Sequence, residues 1–236
     1  MHTILSLRTC SMRNILIACL LFLTAIPAAA DGGQPIEALQ RRVEEGLRIL
    51  KDPGFNGVHR KDAQQQKLRI ILEQMFDFRE FSRRVLGSNW NDFTDSQREA
   101  FVRVFAEFLG KFYMGKLQEN YKDERLIYVR QEIVSARRAL VSVKVVWKGQ
   151  EIPVDLRMIK RKGLWKVYDI QFLGISAVRN YRAQFKSLLS RETPAEVINR
   201  MKEKIKDLDT QKQNGSVPKG IQGLTSAIHT EYYRFN

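Results

Sequence analysis

The spacing of apolar residues changes twice along the chain, and this change constrains the fold more than any other feature. Apolar residues recur every three or four positions from 35 to about 121, as in amphipathic helices. They alternate from 126 to 172, most clearly in 140–147 and 152–158, and the helical spacing returns from about 176 to 205. Because short turns join antiparallel neighbours, this order predicts an α+β fold with a four-stranded antiparallel meander wrapped by about six to seven helices.

Three helix starts are marked by local chemistry. Thr94 is followed three positions later by Gln97, which is a capping box. Ser176 can cap a further helix, and Thr193-Pro194-Ala195-Glu196 combines a cap, a proline at the first helical position and an acid at the third. We expect helices to begin at these points.

The N-terminus has the pattern of an export signal. Arg8 and Arg13 precede an apolar run over 15–26, and Ala28-Ala29-Ala30 supplies small residues for cleavage. We predict a signal peptide at 1–30 with cleavage near Ala30, and therefore an exported protein. Lipidation at Cys19 is less favoured, because the apolar run continues beyond it. We predict a single domain at 31–206 and, from its Gln-, Asn-, Gly- and Lys-rich composition, a flexible tail at 207–236.

Composition gives little material for chemistry. Both cysteines, Cys10 and Cys19, lie in the predicted signal peptide, and His59 and His229 are far apart in sequence. No phosphate-binding glycine loop, serine-nucleophile motif or zinc motif is present. We therefore predict a protein that is not an enzyme and has no metal or cofactor. The net charge is +14, which together with export favours either a solvated surface or attraction to anionic lipid or an acidic partner over nucleic acid.

One helix carries an aromatic stripe. Phe101, Phe105, Phe108 and Phe112 repeat every three or four residues. Such a stripe is typical of an ordinary core, yet the same side chains could line a cavity for an apolar ligand. Spacing alone leaves both interpretations open.

Several ordered segments resemble the toluene-tolerance, or MlaC-like, family of periplasmic phospholipid shuttles. The segments are Phe76-Asp77-Phe78, Leu86-Gly87-Ser88-Asn89-Trp90, the spaced set from Gln97 to Leu117, Trp165-Lys166-Val167-Tyr168-Asp169-Ile170, Gly174-Ile175-Ser176 and 180–185. The resemblance covers roughly 35–206. It implies that the sheet and helices enclose an apolar cavity for phospholipid acyl chains, with no chemistry on the lipid.

The resemblance also implies partners. These are phospholipid, an outer-membrane lipoprotein complex, and an inner-membrane ABC transporter complex with its substrate-binding component. We expect a monomer, because a shuttle must diffuse, and no nucleic acid. The alternatives are a carrier for another membrane lipid such as a hopanoid, a periplasmic chaperone or adaptor with an apolar groove, and a lipid hydrolase, against which the missing catalytic residues count.

Pattern and resemblance together give candidate lipid-binding residues on the aromatic helix, the strands and the next helix. They are Phe101, Phe105, Phe108, Leu109, Phe112, Tyr113, Leu117, Val143, Val145, Trp147, Val154, Leu156, Met158, Val167, Ile175, Tyr181 and Phe185. Candidate cations for the cavity mouth or for docking are Arg83, Arg84, Arg137, Arg138 and 160–162, whose alternative is surface solubility. Asp169 lies in an apolar strand and needs a partner, for which we predict Arg182.

Overall fold

The structure is a computed structural model that describes residues 33–57, 60–121, 124–147 and 149–213. The predicted signal peptide and residues 214–236 of the predicted tail lie outside the described residues.

The described residues form six α-helices and two short 3-10 helices. The α-helices are α1 (Pro35–Lys51), α2 (Lys61–Met75), α3 (Phe78–Leu86), α4 (Asp95–Asn120), α5 (Ala177–Leu189) and α6 (Pro194–Gln213). The 3-10 helices are η1 (Pro53–Phe55) and η2 (Gly87–Asp92).

One antiparallel sheet lies between α4 and α5 in the chain. Its strands are β1 (Arg125–Ser135), β2 (Arg138–Trp147), β3 (Gln150–Arg161), β4 (Leu164–Phe172) and β5 (Ile175–Ser176), and they pair in chain order. The predicted α+β class and four-strand meander are confirmed, but β5 adds a fifth strand. With two residues, β5 is too short to show a period of two. Leu173 and Gly174 both have positive φ and form the tight turn that pairs β5 with the end of β4.

The predicted helix starts are confirmed. Thr94 and Gln97 form both hydrogen bonds of a capping box at the start of α4. The Ser176 hydroxyl accepts from the backbone N–H of Arg179 at α5. At α6, the Thr193 hydroxyl accepts from the backbone N–H of Glu196, whose carboxylate accepts from the Thr193 N–H in return. These ends form as predicted because each cap is a short-range interaction.

Two separate apolar clusters hold the fold together. The helical core joins α3, α4, α5 and α6, and its aromatic rings, including Phe101, Phe105 and Phe185, lie 5.1–5.4 Å apart between centroids. The sheet core joins β2, β3 and β4 with α1, and it is centred on residues such as Val141 and Leu39. Helix α4 therefore packs its aromatic stripe against other helices rather than against the sheet.

Asp169 is buried, but its predicted pairing with Arg182 is wrong. Its carboxylate accepts from the Ser176 hydroxyl at 2.7 Å and from the Val178 N–H at 3.0 Å, and the Arg157 Nε lies 3.9 Å away. Arg182 instead donates to the Arg84 carbonyl at 2.8 Å. Because the first N–H groups of a helix have no partner within it, the carboxylate stabilises the start of α5 directly.

Helix α6 continues past the domain boundary that we predicted after 206. It ends at Gln213, and Leu208 packs against the helical core. The Lys111 Nζ donates to the Asp209 carboxylate at 2.6 Å, which ties this last part of α6 to α4. The polar composition of this segment is therefore that of a solvated helix face.

Candidate ligand-binding cavity

A cavity of about 500 Å³ lies between α1, α2, the second half of α4 and one end of the sheet. Almost all of the side chains that line it are apolar. They are Val43, Leu47 and Leu50 of α1; Leu68, Ile71, Leu72 and Met75 of α2; Tyr113, Met114, Leu117 and Tyr121 at the end of α4; and Leu126, Val145, Trp147, Ile152 and Phe172 of the strands, with Gly46, Arg42 and Glu124 completing the wall.

Each helix presents one face to the cavity, because its lining residues recur every three or four positions. The strand residues converge because the register pairs Leu126 with Val145 and Val145 with Ile152. We call the end of the sheet that carries these residues and the β2–β3 turn the cavity end. The opposite end, with the β1–β2 and β3–β4 turns, is the far end.

A buried amide holds the three helices of the cavity wall together. The Gln64 Nε2 of α2 donates to the Ile49 carbonyl of α1 at 2.8 Å. The Gln118 Nε2 of α4 donates to the Gln64 Oε1 at 2.9 Å. A buried amide in an apolar surrounding is stable only with such partners, so these bonds set the spacing of the wall.

Two tyrosines connect the cavity with the helical core. Tyr113 lines the cavity, and its hydroxyl lies 3.1 Å from that of Tyr181, which is buried in the helical core. Burial raises the pKa of both Tyr113 and Tyr181 above the usual value. Both phenols therefore stay neutral near pH 7, and the pair adds no charge to the wall.

Polar groups of the wall are few. Arg42 and Glu124 are its charged residues, and the Arg42 Nη1 pairs with the Glu45 carboxylate at 3.0 Å. The Tyr121 hydroxyl is buried and has no hydrogen-bond partner among the described residues. The Lys51 ammonium lies 5.9 Å from the centre of the Tyr121 ring, so the end of α1 meets the end of α4 here.

A shallow depression on α1 adjoins the cavity. It is lined by Glu44, Leu47, Arg48, Lys51 and Asp52, and Leu47 belongs to both walls. We call it the charged depression.

The charged depression lies close to β1. Burial and the negative charge of Glu44 raise the pKa of Tyr128, in β1, to about 12. The backbone N–H of Ile36, at the start of α1, donates to the Gln131 Oε1 of β1 at 3.0 Å, so α1 runs beside β1.

The structure brings four of the predicted lipid-binding residues to the cavity, namely Tyr113, Leu117, Val145 and Trp147. The others lie elsewhere. Those in the helical core are Phe101, Phe105, Phe108, Leu109, Phe112, Tyr181 and Phe185. Those in the sheet core are Val143, Val154, Leu156, Met158 and Val167, and Ile175 lies in β5. Side chains of the neighbouring helices pack directly against the aromatic stripe and bury it. Its position therefore matches the ordinary-core interpretation.

Sequence reasoning missed the contribution of α1 and α2 to the wall. The apolar spacing of Val43, Leu47 and Leu50 marks an amphipathic helix. A helix whose apolar face is fully packed against a core has the same spacing. No signal in the sequence separates a face on a cavity from a face on a core.

The predicted mouth cations lie at the far end of the sheet, away from the cavity. The register places Arg138 opposite Ile159 and Arg161 opposite Leu164 there. Arg83 and Arg84, on α3, are tied to the same end because they share a carboxylate with Arg161. They are therefore not at the mouth of this cavity.

Glu80 is that shared carboxylate. It accepts from Arg83, Arg84 and Arg161 at 2.7–3.0 Å, and Arg161 also pairs with Asp77. Burial acts to raise the pKa of Glu80, but the hydrogen bonds and charges of Arg83 and Arg84 outweigh it and lower that pKa to about 2. This cluster fastens α3 to the sheet and leaves part of the predicted docking charge neutralised.

The described residues contain no cluster of histidine, cysteine and carboxylate side chains that could hold a metal ion. Among the same residues, no helix is long and apolar enough to cross a membrane.

An α+β fold that leaves an apolar cavity between its sheet and its helices is the architecture of a protein that encloses an apolar ligand. The model of the family described as MlaC protein matches residues 40–203. This is more than half of the chain, so the chain belongs to the MlaC protein family, which confirms the resemblance.

A curated relative and a solved structure are similar to the chain. The Haemophilus influenzae intermembrane phospholipid transport system binding protein MlaC is 26% identical over 125 residues, which are 51% of this chain and 58% of the relative. The match thus spans little more than half of that relative's length. The phospholipid-binding protein from Ralstonia solanacearum, solved in complex with a phospholipid, has a TM-score of 0.65 at 22% identity and covers 75% of this chain and 99% of its own. It shows that the two share a fold.

Proposed function

We propose that this protein is a periplasmic carrier that binds a phospholipid by its acyl chains and moves it between the two membranes without changing it. The observation that carries the proposal is the apolar cavity between α1, α2, α4 and the cavity end of the sheet. The family, and the phospholipid named for both similar proteins, support this ligand over another membrane lipid.

The cost of moving a lipid through water explains why a carrier is needed. Exposing one CH₂ group costs about 0.8 kcal/mol, so a phospholipid with on the order of thirty such groups costs roughly 20 kcal/mol to hold in water. A cavity wall that is apolar except for Arg42 and Glu124 offers the acyl chains a surface away from water.

The route of the lipid belongs to the same proposal. The signal peptide at 1–30 exports the chain to the periplasm. The carrier exchanges lipid with an outer-membrane lipoprotein complex and with the substrate-binding component of an inner-membrane ABC transporter. It acts as a monomer, with no cofactor and no catalytic step.

Native mass spectrometry tests the ligand directly. The protein is purified without detergent from cells that express the full chain, and the bound lipid is then extracted with organic solvent. We expect close to one phospholipid per protein. If the bound lipid belongs to another class, the protein is a carrier for that lipid and not for phospholipid. A ligand-free protein that takes up nothing from vesicles would favour a chaperone or adaptor. Hydrolysis products that accumulate with time would favour a hydrolase.

Gly46 gives a matched pair of variants that locate the ligand. It lines the cavity, and a Cβ placed there has Ile71 Cγ2 as its nearest neighbour at 3.9 Å, so alanine fits without strain. Phenylalanine at the same position must extend into the cavity. We expect Gly46→Phe to lower lipid loading by at least about ten-fold, a difference of about 1.4 kcal/mol, while Gly46→Ala keeps it. Equal loading of the two variants would show that the lipid binds elsewhere.

A further inference from the structure

The charged depression adjoins the apolar cavity along α1. We propose that it is the headgroup subsite of the cavity and that it favours a zwitterionic phospholipid, with a phosphate and an ammonium group, over an anionic one. This inference rests on the proposed function, because it assigns the polar end of the ligand whose acyl chains fill the cavity.

The geometry gives the two compartments a common wall. Leu47 lines both the cavity and the depression, and Lys51, at the rim of the depression, lies over the ring of Tyr121 in the cavity wall. A glycerophospholipid changes from apolar to charged over a few bonds. A site for it therefore needs an apolar and a charged surface in direct contact, as they are here.

The charges of the depression are balanced, in contrast to the +14 of the whole chain. Two cations, Arg48 and Lys51, lie beside two carboxylates, Glu44 and Asp52. A phosphate is attracted to the cations and an ammonium to the carboxylates. An anionic headgroup keeps the first attraction but brings no positive group for the carboxylates, which then repel it.

Arg48 is available for a phosphate. It forms no ion pair or hydrogen bond with the residues that the structure describes. Its neighbour Arg42 is already paired with Glu45, and the Glu44 carboxylate accepts from the Gln40 amide at 2.8 Å. A guanidinium with five N–H donors next to an apolar cavity is well suited to a phosphate diester.

Competitive loading tests the preference. The full-length protein is incubated with vesicles that contain equal amounts of phosphatidylethanolamine and phosphatidylglycerol, and the bound lipids are counted by mass spectrometry after reisolation. The unchanged protein should prefer phosphatidylethanolamine. Glu44→Lys should shift the ratio of bound lipids towards phosphatidylglycerol by about two- to five-fold, which is the range of exposed charge pairs. Arg48→Gln should lower the loading of both lipids, since both carry a phosphate.

Glu203→Lys is the matched control. Glu203 is exposed on α6 and lines neither the cavity nor the depression, so this variant changes the net charge equally without touching the proposed subsite. A shift in Glu44→Lys alone supports the subsite. Equal shifts in both variants, no shift in either, or a preference of the unchanged protein for phosphatidylglycerol would overturn it and leave the proposed function standing. If the unchanged protein takes up neither lipid, both proposals fail together.

Discussion

The two halves of α4 carry similar apolar residues but have different surroundings. Phe101 and Phe105, in the first half, pack against α3, α5 and α6 and are almost fully buried. Tyr113, Leu117 and other residues of the second half face the cavity instead. The comparison shows that helical spacing identifies an apolar face, while the neighbouring elements decide whether that face becomes a packed core or the wall of a binding site.

Truncation of a core residue should have the largest effect on stability. Phe105→Ala removes a ring packed against Phe81, Tyr181 and Phe185, so we expect unfolding to become easier by about 3–5 kcal/mol. Met114→Ala, on the cavity side of the same helix, should cost about 1–2 kcal/mol, because its side chain already borders open space. Denaturant unfolding measures both. Equal losses would contradict the division of α4 into a packed and a cavity-lining half.

The Glu80 cluster at the far end should affect stability without affecting the ligand. Its folded pKa of about 2 lies below the ordinary value of 4.5, so the carboxylate stabilises the fold above pH 4.5 and loses this effect as the pH falls towards 2. We expect Glu80→Gln to cost about 2 kcal/mol near pH 7, after allowance for the exposed arginines. The difference from the unchanged protein should shrink below pH 4.5.

Glu73→Gln, in an exposed pair with Arg69, is the control for this pH series and should cost less than about 0.5 kcal/mol. Lipid loading of Glu80→Gln should equal that of the unchanged protein. A loss of loading would mean that the far end is coupled to the cavity.

Gln64→Leu should loosen the cavity wall and cost less stability than Glu80→Gln. The change keeps a similar volume but removes the hydrogen bonds to Ile49 and Gln118 and leaves their polar groups without this partner. We expect a cost of about 1–2 kcal/mol and faster release of bound lipid. Gln66→Leu, at an exposed position of the same helix, controls for the change in composition. Unchanged release from Gln64→Leu would show that the amide holds the fold but not the wall.

A small stabilising effect is expected at Gly46. Because the residue lies inside α1 and a Cβ fits there, Gly46→Ala should stabilise the protein by about 0.5–1 kcal/mol through helix propensity. Thermal unfolding measures the change. Destabilisation would mean that α1 and α2 approach more closely than the cavity implies.

Much of the fold could be predicted because the signals are local. The capping boxes at Thr94 and Thr193 and the alternation over 140–158 each depend on residues a few positions apart. The fifth strand was missed because two residues carry no pattern. The partners of Asp169, the Ser176 hydroxyl and the Val178 N–H, were missed because they belong to the start of the next helix, and a backbone N–H is present in every residue except proline.

The candidate site could be predicted only in part. Tyr113, Leu117, Val145 and Trp147 were named because they extend the apolar helix and strand patterns to the cavity end. The phenylalanines of α4 were named on equal grounds but lie in the helical core, and the wall residues of α1 and α2 were not named. Residue type was the same in all three groups, so it could not separate them.

The sequence by itself determined most of the helical and strand segments, where several helices begin, and which family the chain belongs to. These properties follow from side-chain period, cap chemistry and ordered motifs, all of which act over short stretches. Only the tertiary structure decided where the apolar faces leave a space, which end of the sheet bounds it, and which charges lie beside it. A packed face and a cavity wall require the same side chains, and they differ only in the distance to the next element.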